Sequence, residues 1–434
     1  MTEMAQTDTA VRSMDAVAAR LKSRYAAERR FRALGLGAIL LSVAFLAILL
    51  GSIVQKGWTG FIQTQVAVAV TFDPQVIDPD GSRDPLALDT ADYATLVRNG
   101  MAARLAPDAD RNARRDLTGM VSTMATEQLR RMVVANPDII GTTATVWVLA
   151  SDKIDMVVKG QVPRQLGAAG NALNDRQLGW VAQLEQSGQV RTTFNTTFFT
   201  AGDSRAPEQA GIWGAVVGSF FSLAITLLVS FPLGVATAVY LEEFAPHNRW
   251  TDLIEVNINN LAAVPSVVFG LLGLAVFLNV FHLPRSSPLA GGLVLALICL
   301  PTIIIAGRAA LKAVPPSIRQ AAAGLGASPL QIVAHHVLPL AMPGMLTGTI
   351  LGMARALGET APLLMIGMVA FIVDIPKSPV DPSAVLPVQI YLWAGSPERA
   401  FVEKTSAAIM VLLLFLVSMN MVAIVLRKKF ERRW

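Results

Sequence analysis

The sequence predicts an all-α polytopic membrane protein of six transmembrane helices, with an α+β domain inserted between the first and the second. Three observations support this fold class. Of 434 residues, 53% are hydrophobic and 15% are charged, whereas about a quarter of the residues of soluble domains are charged. Six apolar runs are long enough to cross a bilayer. One long stretch between the first two runs mixes charges of both signs and contains no run that could span.

The six apolar runs define the predicted spans, and several of them contain glycine and proline. The runs cover residues 33–54, 212–240, 261–281, 289–310, 340–373 and 405–426. Small residues and prolines inside spans are expected where helices pack closely or bend around a pathway. The fifth run is too long for one straight crossing, so we expect it to tilt or break.

Basic residues predict the orientation. Seven cations lie between Arg12 and Arg32, and five lie between Arg427 and Arg433. Cytoplasmic flanks are enriched in Lys and Arg, so both termini are predicted to be cytoplasmic, which six spans allow. The acidic turn 241–255 is placed in the cytoplasm by the span count alone. The predicted map is a basic segment 1–32, a first span 33–56, an extracytoplasmic domain 57–208, a membrane core 209–427 and a basic tail 428–434.

Several classes of function are disfavoured by the composition. The net charge of +5 does not indicate nucleic-acid binding, because the basic residues cluster beside apolar runs. The single cysteine, Cys299, lies inside such a run and cannot form an intrachain disulfide. No Gly-x4-Gly-Lys-Ser/Thr motif is present, so the chain is not expected to bind ATP through a P-loop. We predict no metal, no cofactor and no catalytic residue.

The charged stretch 57–208 is long enough for one small domain. Alternating patterns predict strands at 65–72, 145–149, 154–158 and 191–198, and helices are predicted at 86–104 and 127–134. Neither a metal-ligand spacing nor a nucleophile–base pair stands out in it. The sequence therefore predicts where this domain lies and leaves its role open.

The stretch Arg319–Pro339, between the fourth and fifth runs, predicts a turn on the membrane surface. Pro315-Pro316 should end the preceding helix. Ser317 is predicted to cap a short helix from 318 to about 324, and Gly326 to adopt a left-handed conformation after it. Ser328-Pro329 should open the next helix. The result is a helix–Gly–helix elbow with small side chains that let another protein approach closely.

Two charged residues lie inside the fifth run. Arg355 and Glu359 are four residues apart, so they share a helix face and can pair. A charge at that depth costs at least a few kcal/mol, so both should face a partner helix or a water-filled path. One interpretation is an anion path in which Arg355 offers its planar donor fork to an oxyanion. The alternative is a structural ion pair that holds two helices together.

The elbow is similar to the EAA loop of ABC importer permeases. Ala321-Ala322, Gly326 and Leu338-Pro339 are in register with the family pattern, while Gln320 stands where glutamate is usual and His336 where isoleucine is usual. The coupling loop would cover 312–339.

Further motifs are similar to the phosphate-specific members of these permeases, most closely the A-type subunit. The matching segments are Leu241-Glu242-Glu243, the run from Asn260 to Gly270, Ala313-Val314-Pro315, Arg355-Ala-Leu-Gly-Glu-Thr-Ala-Pro and Leu386-Pro387-Val388-Gln389.

This resemblance implies a type I ABC importer permease fold and a transport subunit without enzymatic activity, in a bacterial inner membrane. It implies a heterodimer with a C-type permease, two ATPase subunits on the elbow and a periplasmic phosphate-binding protein. Arg355, Glu359 and Thr360 would lie on the phosphate path. Two alternatives remain: a permease for another oxyanion (phosphonate, sulfate or molybdate), or a membrane-anchored sensor or scaffold that works through 57–208.

Overall fold

The structure is a computed structural model that describes residues 2–108, 110–164 and 173–430, without the side chains of 2–20, 22, 23 and 430. Parts of the predicted segments 1–32, 57–208 and 428–434 lie outside the described residues. The chain forms two compact units, Met1–Gln55 and Lys56–Trp434. The first unit consists of one long helix, and its apolar side chains from Leu34 to Leu50 are exposed.

Helices make up most of the described chain, and three strands interrupt them. The α-helices are α1 (Thr2–Gly57), α2 (Pro74–Ile77), α3 (Pro85–Thr90), α4 (Tyr93–Leu105), α5 (Arg111–Thr118), α6 (Met124–Ala135), α7 (Asp152–Val158), α8 (Asp175–Gln186), α9 (Thr196–Thr200), α10 (Trp213–Val239), α11 (Arg249–Ala263), α12 (Ser266–Gly273), α13 (Pro288–Lys312), α14 (Pro316–Gly324), α15 (Pro329–Gln331), α16 (Leu338–Gly358), α17 (Ala361–Met365), α18 (Leu386–Ala394) and α19 (Ala400–Phe430). The strands are β1 (Ile62–Thr71), β2 (Thr143–Leu149) and β3 (Val190–Phe194). Turns of 3₁₀-helix cover Trp58–Phe61, Pro137–Ile139 and Pro207–Gln209, and turns of π-helix cover Tyr240–Phe244, Leu274–Val280 and Ile332–Val337.

Five helical stretches of the described chain are long and apolar enough to cross a membrane. They are Arg24–Phe61, Trp213–Phe244, Pro288–Lys312, Pro329–Gly358 and Ala400–Lys429. A sixth candidate is the pair Arg249–Ala263 and Ser266–Val280, which is bent by 102°. The bend lies at Val264, whose extended backbone precedes Pro265, because a residue before proline is disfavoured in the helical region. The predicted third span, 261–281, therefore begins at a sharp bend.

The predicted fifth span, 340–373, does not continue as one helix. Helix α16 ends at Gly358, and Glu359 has an extended backbone with φ −75° and ψ 118°. The five-residue helix α17 follows, with Pro362 in its first turn. Proline has no amide proton to continue the helical ladder, so the break falls between Arg355 and Pro362.

Small residues let the membrane helices approach each other closely. A Cβ atom on Gly292 of α13 would lie 2.7 Å from the backbone oxygen of Ser222 of α10. Thr226 of α10 also donates a hydrogen bond of 3.0 Å to the Gly292 carbonyl. Between α13 and α16, a Cβ on Gly348 would lie 2.1 Å from the Cβ of Ala306. Larger side chains at these two glycines would push the helices apart.

The segment between α1 and α10 contains a three-stranded antiparallel sheet in the order β2-β1-β3. In the register, Val66 of β1 lies opposite Val148 of β2 and Val190 of β3. Alternate side chains of β1, including Val66 and Val70, are buried in a core that also contains Leu96 of α4 and Leu129 of α6.

Three of the four predicted strands are present, with shifted ends. The strand predicted at 191–198 ends at Phe194 because Asn195 caps α9, accepting a hydrogen bond of 3.0 Å from the Phe198 amide. The strand predicted at 154–158 is wrong, since these residues belong to α7. Ile154 and Val157 are buried three residues apart on one helix face. Such a short apolar run does not distinguish a strand from a helix.

The helix predicted at 86–104 is two helices, α3 and α4. Ala91 between them is extended, and the Asp92 side chain caps α4 by accepting a hydrogen bond of 3.1 Å from the Thr95 amide. The helix predicted at 127–134 lies within α6.

Glu208 lies in the 3₁₀ turn before α10 and is partly buried. Its carboxylate accepts a hydrogen bond of 2.8 Å from Ser122 Oγ. Burial raises the pKa of Glu208, and the Ser122 hydrogen bond opposes that rise. The Glu208 carboxyl therefore binds its proton more tightly in the folded protein than in the unfolded chain. Protonation of Glu208 thus stabilises the fold at low pH, and this contribution is lost as pH rises through the folded-state pKa.

We predict that Glu208→Gln raises the melting temperature at neutral pH, because glutamine keeps an acceptor for Ser122 and removes the buried charge. The difference from the unsubstituted protein should vanish below the ordinary glutamate pKa of 4.5. Thermal unfolding in detergent across a pH series measures both effects.

Glu398→Gln is a control that should change the melting temperature at neutral pH in the opposite direction. The Ser396 hydroxyl lowers the pKa of the exposed Glu398, so this charge stabilises the fold at neutral pH and not in acid. Its removal should lower the melting temperature at neutral pH only. A Glu208→Gln variant that melts like the unsubstituted protein at every pH would contradict the burial argument.

Candidate functional site

Arg355 and Glu359 lie at the C-terminal end of α16, where the helix breaks. Their Nε and Oε1 atoms are 3.4 Å apart, and their side chains are 52% and 17% exposed. The distance is longer than a good charge-assisted hydrogen bond. Within the described part of the chain, Glu359 is the one hydrogen-bond acceptor that contacts the Arg355 guanidinium. Most of the five donors of Arg355 are therefore available to another group.

The rest of α16 explains why Arg355 is exposed. Gly352 and Ala356 on neighbouring faces are buried, and the Gly352 carbonyl accepts a hydrogen bond of 3.3 Å from Cys299 Sγ of α13. Leu351, one turn before Arg355, is 64% exposed. Arg355 is thus a cation on an otherwise apolar, unpacked helix face.

Thr360 follows the break directly and is half-buried. Its backbone carbonyl accepts hydrogen bonds from the amides of Leu363 and Leu364 at 3.1 and 3.0 Å, which begin α17. The three residues predicted for the path are therefore adjacent at one helix interruption.

The elbow between α13 and α16 has the predicted helix–Gly–helix form. Gly326 has φ +82°, a conformation that favours glycine. Its amide donates to the Ala323 carbonyl at 3.0 Å, and the Ala327 amide donates to the Ala322 carbonyl at 3.1 Å. These two bonds form a Schellman motif that ends α14.

The two helix starts of the elbow differ in their caps. Ser328 caps α15 in a capping box with Gln331. The predicted cap at Ser317 is wrong, because α14 begins at Pro316, two residues before the predicted start, and its N-cap Pro315 makes no side-chain cap bond. Proline fits the first helical turn without a cap because its missing amide proton would have no helical partner there.

The residues predicted for coupling differ in exposure. Gln320, Ala321 and Gly326 are exposed, Leu338 and Pro339 are half-buried, and Ala322 is buried against the protein. Two exposed residues were missed by the sequence reasoning. Leu325 is 88% exposed and Leu330 is 68% exposed, on either side of the Gly326 turn. Leucine next to a surface glycine is the signal that could have found them.

A second feature that the sequence reasoning missed is an ionic network at the base of the elbow. Arg319 of α14 forms a two-pronged contact with Glu243, at 2.7 and 3.3 Å. It also donates to the carbonyls of Leu311 and Val314, at 3.0 and 2.8 Å. Arg319 therefore ties α14 both to the C-terminal end of α13 and to the π-helical turn after α10.

Neighbouring ion pairs extend this network. Arg308 lies 2.6 Å from Glu255 and 3.4 Å from Glu242, and the more exposed Lys312 lies 3.6 Å from Glu242. Arg308 and Lys312, at the C-terminal end of α13, thus pair with acids of the turn 241–255. The matching charges in 241–255 and 308–319 were visible in the sequence, but their pairing was not.

Comparison with known proteins identifies the class. Residues 230–434 match the family described as "Binding-protein-dependent transport system inner membrane component". "Phosphate transport system permease protein PstA 1" of Mycobacterium tuberculosis (strain ATCC 25618 / H37Rv) is 31% identical over 229 residues, which are 52% of this chain and 73% of that protein. "Phosphate transport system permease protein PstA" of Haemophilus influenzae is 31% identical over 222 residues, 51% of this chain and 77% of that protein.

The chain therefore belongs to the family of inner-membrane permeases of binding-protein-dependent ABC importers. Within that family it is a PstA-like permease. Residues 18–168 match a second description, "Domain of unknown function (DUF3333)". A solved structure titled "Inward facing conformations of the MetNI methionine ABC transporter" aligns with 51% of this chain and 95% of its own chain, at 17% identity and a TM-score of 0.40. That likeness is too distant to carry an argument.

We predict that Arg319→Met lowers stability, because it leaves the Glu243 carboxylate, 11% exposed, without its partner. Removing one member of such a pair costs about 1–3 kcal/mol, which should appear as a lower melting temperature.

Lys312→Met is the matched control for this prediction. Lys312 belongs to the same network, but its side chain is 60% exposed, so its loss should cost less than about 1 kcal/mol. Equal melting temperatures for the two variants would show that the Arg319 contacts do not stabilise the elbow.

Proposed function

We propose that this chain is the A-type permease subunit of an ATP-driven importer of inorganic phosphate. It pairs with a C-type permease to form the translocation path, binds two ATPase subunits at the elbow, and receives phosphate from a periplasmic binding protein. Both termini are cytoplasmic, and the domain 57–208 is extracytoplasmic. ATP hydrolysis occurs on the ATPase subunits and not on this chain. The names of the relatives support phosphate as the substrate.

The observation that carries this proposal is the half-exposed Arg355 at the break of α16. An arginine on an apolar membrane-helix face is costly unless it faces a partner or water. Its planar fork matches the oxygens of a phosphate, and its contact with Glu359 is long enough to be exchanged for a better one. Arg355 therefore binds the passing anion, while Glu359 holds the guanidinium when the path is empty. Thr360 lies beside both.

The elbow supports ATPase coupling. Leu325 and Leu330 project beside a turn whose other exposed residues are small, and such apolar groups are buried when a partner covers them. Arg319 fixes α14 to α13 and to the end of α10. A push on the elbow is therefore transmitted to two membrane helices at once. Closure of the ATPases moves the elbows of both permeases and alternately opens the path past Arg355 to each side.

We expect Arg355→Gln to reduce ATP-dependent phosphate uptake by about tenfold or more, because charge-assisted hydrogen bonds contribute about 1.5–3 kcal/mol. Uptake is measured in cells that depend on this importer, at equal membrane levels of the assembled complex. Arg176→Gln, an exposed arginine in the small domain, is the control and should transport normally.

Normal uptake by Arg355→Gln would reduce Arg355 to a structural charge and contradict the proposed path. Competition by sulfate, molybdate and a phosphonate during the same uptake assay tests the substrate. If one of these anions inhibits uptake of labelled phosphate more strongly than unlabelled phosphate does, that anion and not phosphate is the preferred substrate of the importer.

We expect Leu325→Asp to release the ATPase subunits during purification, because charging an anchor residue costs about 2 kcal/mol or more of binding free energy. The amount of ATPase that copurifies with the permease measures this loss. Leu86→Asp changes a leucine of the small domain with 69% exposure and should leave the complex intact. Full ATPase recovery with Leu325→Asp would exclude Leu325 as an anchor of the coupling contact.

A further inference from the structure

The first two turns of α19 are covered by the segment between α1 and α10. Glu403 and Lys404 are buried there, with 6% and 5% of their surface exposed, and so are Thr405 and Ser406. Charged residues are almost never fully buried unless they are paired. The ion-pair partner of Glu403 is Lys159, 244 residues away in sequence, which requires the small domain to lie against α19.

The centre of this contact is an ionic triad between α7 and α19. Lys159 Nζ lies 2.6 Å from Asp155 Oδ2 and 2.9 Å from Glu403 Oε1. The side chains of Lys159, Asp155 and Glu403 are 1%, 16% and 6% exposed. Asp155 also accepts a hydrogen bond of 2.8 Å from the Thr64 amide of β1. The triad therefore joins the sheet, α7 and α19 in one chain of contacts.

Further charged groups surround the triad. Asp152 of α7 and Glu208 of the turn before α10 are partly buried nearby, and Lys404 lies with its Nζ 5.2 Å from the centre of the Phe198 ring. Lys404 interacts electrostatically with Glu208 and with both acids of the triad, whereas Asp152 interacts with the exposed Lys153. Removal of one lysine would leave carboxylates in a poorly hydrated place, which is strongly unfavourable.

The first turns of α19 also pack closely against the backbone of Gly57 and Gly60, which precede the sheet. A Cβ atom on Gly57 would lie 2.7 Å from the backbone carbon of Ser406, and one on Gly60 would lie 2.8 Å from the Cβ of Ala407. Neither glycine could carry a larger side chain without moving α19. Domains of one chain are expected to move relative to each other unless their interface prevents it, and close backbone contacts of this kind restrict such motion.

Helix α19 continues from this contact to the helix that carries Arg355. Met419 of α19 belongs to the same apolar cluster as Met353 of α16. Near its other end, Arg427 donates a hydrogen bond of 3.3 Å to Thr347 Oγ1 of α16. Packed rigid elements of this kind can carry coupling between distant sites.

We propose that the domain within residues 57–208 regulates transport in cis by holding the N-terminal end of α19 through the Asp155–Lys159–Glu403 triad, with Lys159 as the positioning residue. The triad is formed while the transporter is at rest, and it sets the position of α19 against α16. This inference rests on the proposed transport function.

The test compares Lys159→Met with Lys153→Met and Lys159→Arg in the assembled importer reconstituted in nanodiscs. Lys153 is exposed on the same helix and serves as the matched control. Lys159→Met should speed hydrogen–deuterium exchange in α7 and the first turns of α19 by about tenfold or more, and change the ratio of binding-protein-stimulated to basal ATP turnover. Lys153→Met should change neither, and Lys159→Arg should restore both.

Two results would overturn the proposal. Unchanged exchange in Lys159→Met would show that the triad does not hold α19. Faster hydrogen–deuterium exchange with unaltered ATP turnover and phosphate uptake would show that the triad holds α19 in place without regulating transport. If Lys159→Met does not assemble, a triple variant replaces it, in which Lys159→Met is combined with Asp155→Asn and Glu403→Gln. This variant removes all three charges of the triad, and the new asparagine still offers an acceptor to the Thr64 amide. It should assemble with altered ATP turnover, and normal turnover would again overturn the proposal.

The exchange measurement does not depend on which anion is carried. An unsubstituted importer that fails to take up phosphate would contradict the proposed substrate, and the comparison of exchange and ATP turnover would still decide the role of Lys159.

Discussion

Polar groups inside a bilayer need partners within the protein, because the hydrocarbon core offers none. This chain interrupts its membrane helices at Val264-Pro265 and at Glu359-Thr360. The short helices that follow the two interruptions pack so closely that a Cβ on Gly270 would lie 2.7 Å from the Cα of Pro362. The two interrupted segments therefore pack against each other through their short helices. The second interruption also contains Glu359, so the break of α16 and the Arg355–Glu359 pair lie at the same place.

The need for partners also explains the acidic turn after α10, whose charge balance is unusual for a turn that the sequence predicts to be cytoplasmic. Three of its carboxylates form ion pairs, since Glu242, Glu243 and Glu255 pair with the cations of α13 and α14. A count of charges along the sequence treats the acidic turn and the basic helix ends separately, although the two segments neutralise each other in the folded protein. The paired charges also tie the base of the elbow to α13 and to the turn after α10.

Local signals in the sequence were sufficient for much of the fold. Long apolar runs, the Gly326 turn and the i, i+4 spacing of Arg355 and Glu359 depend on neighbouring residues only. One error occurred where tertiary burial chose between two local structures, because the short apolar run 154–158 fits a strand or a helix by composition and forms α7. The wrong cap at Ser317 and the division of 86–104 came from local proline and capping chemistry. The triad around Lys159 could not be predicted at all, because Lys159 and Glu403 are 244 residues apart and neither residue type indicates its partner.

Lys159 and Arg355 differ in exposure and in the contacts of their charged groups, and the difference bears on which of them could bind a passing anion. Lys159 is enclosed, and its ammonium contacts two carboxylates at short distances. Arg355 is half-exposed and has one long contact among the described residues. A buried cation with short contacts on both sides gains nothing from a further ligand and would have to break good bonds to accept one. A half-open guanidinium with unused donors gains charge-assisted hydrogen bonds when an oxyanion arrives and loses little when it leaves. Transport requires binding that is favourable and reversible, and of these two cations only Arg355 has the geometry for it.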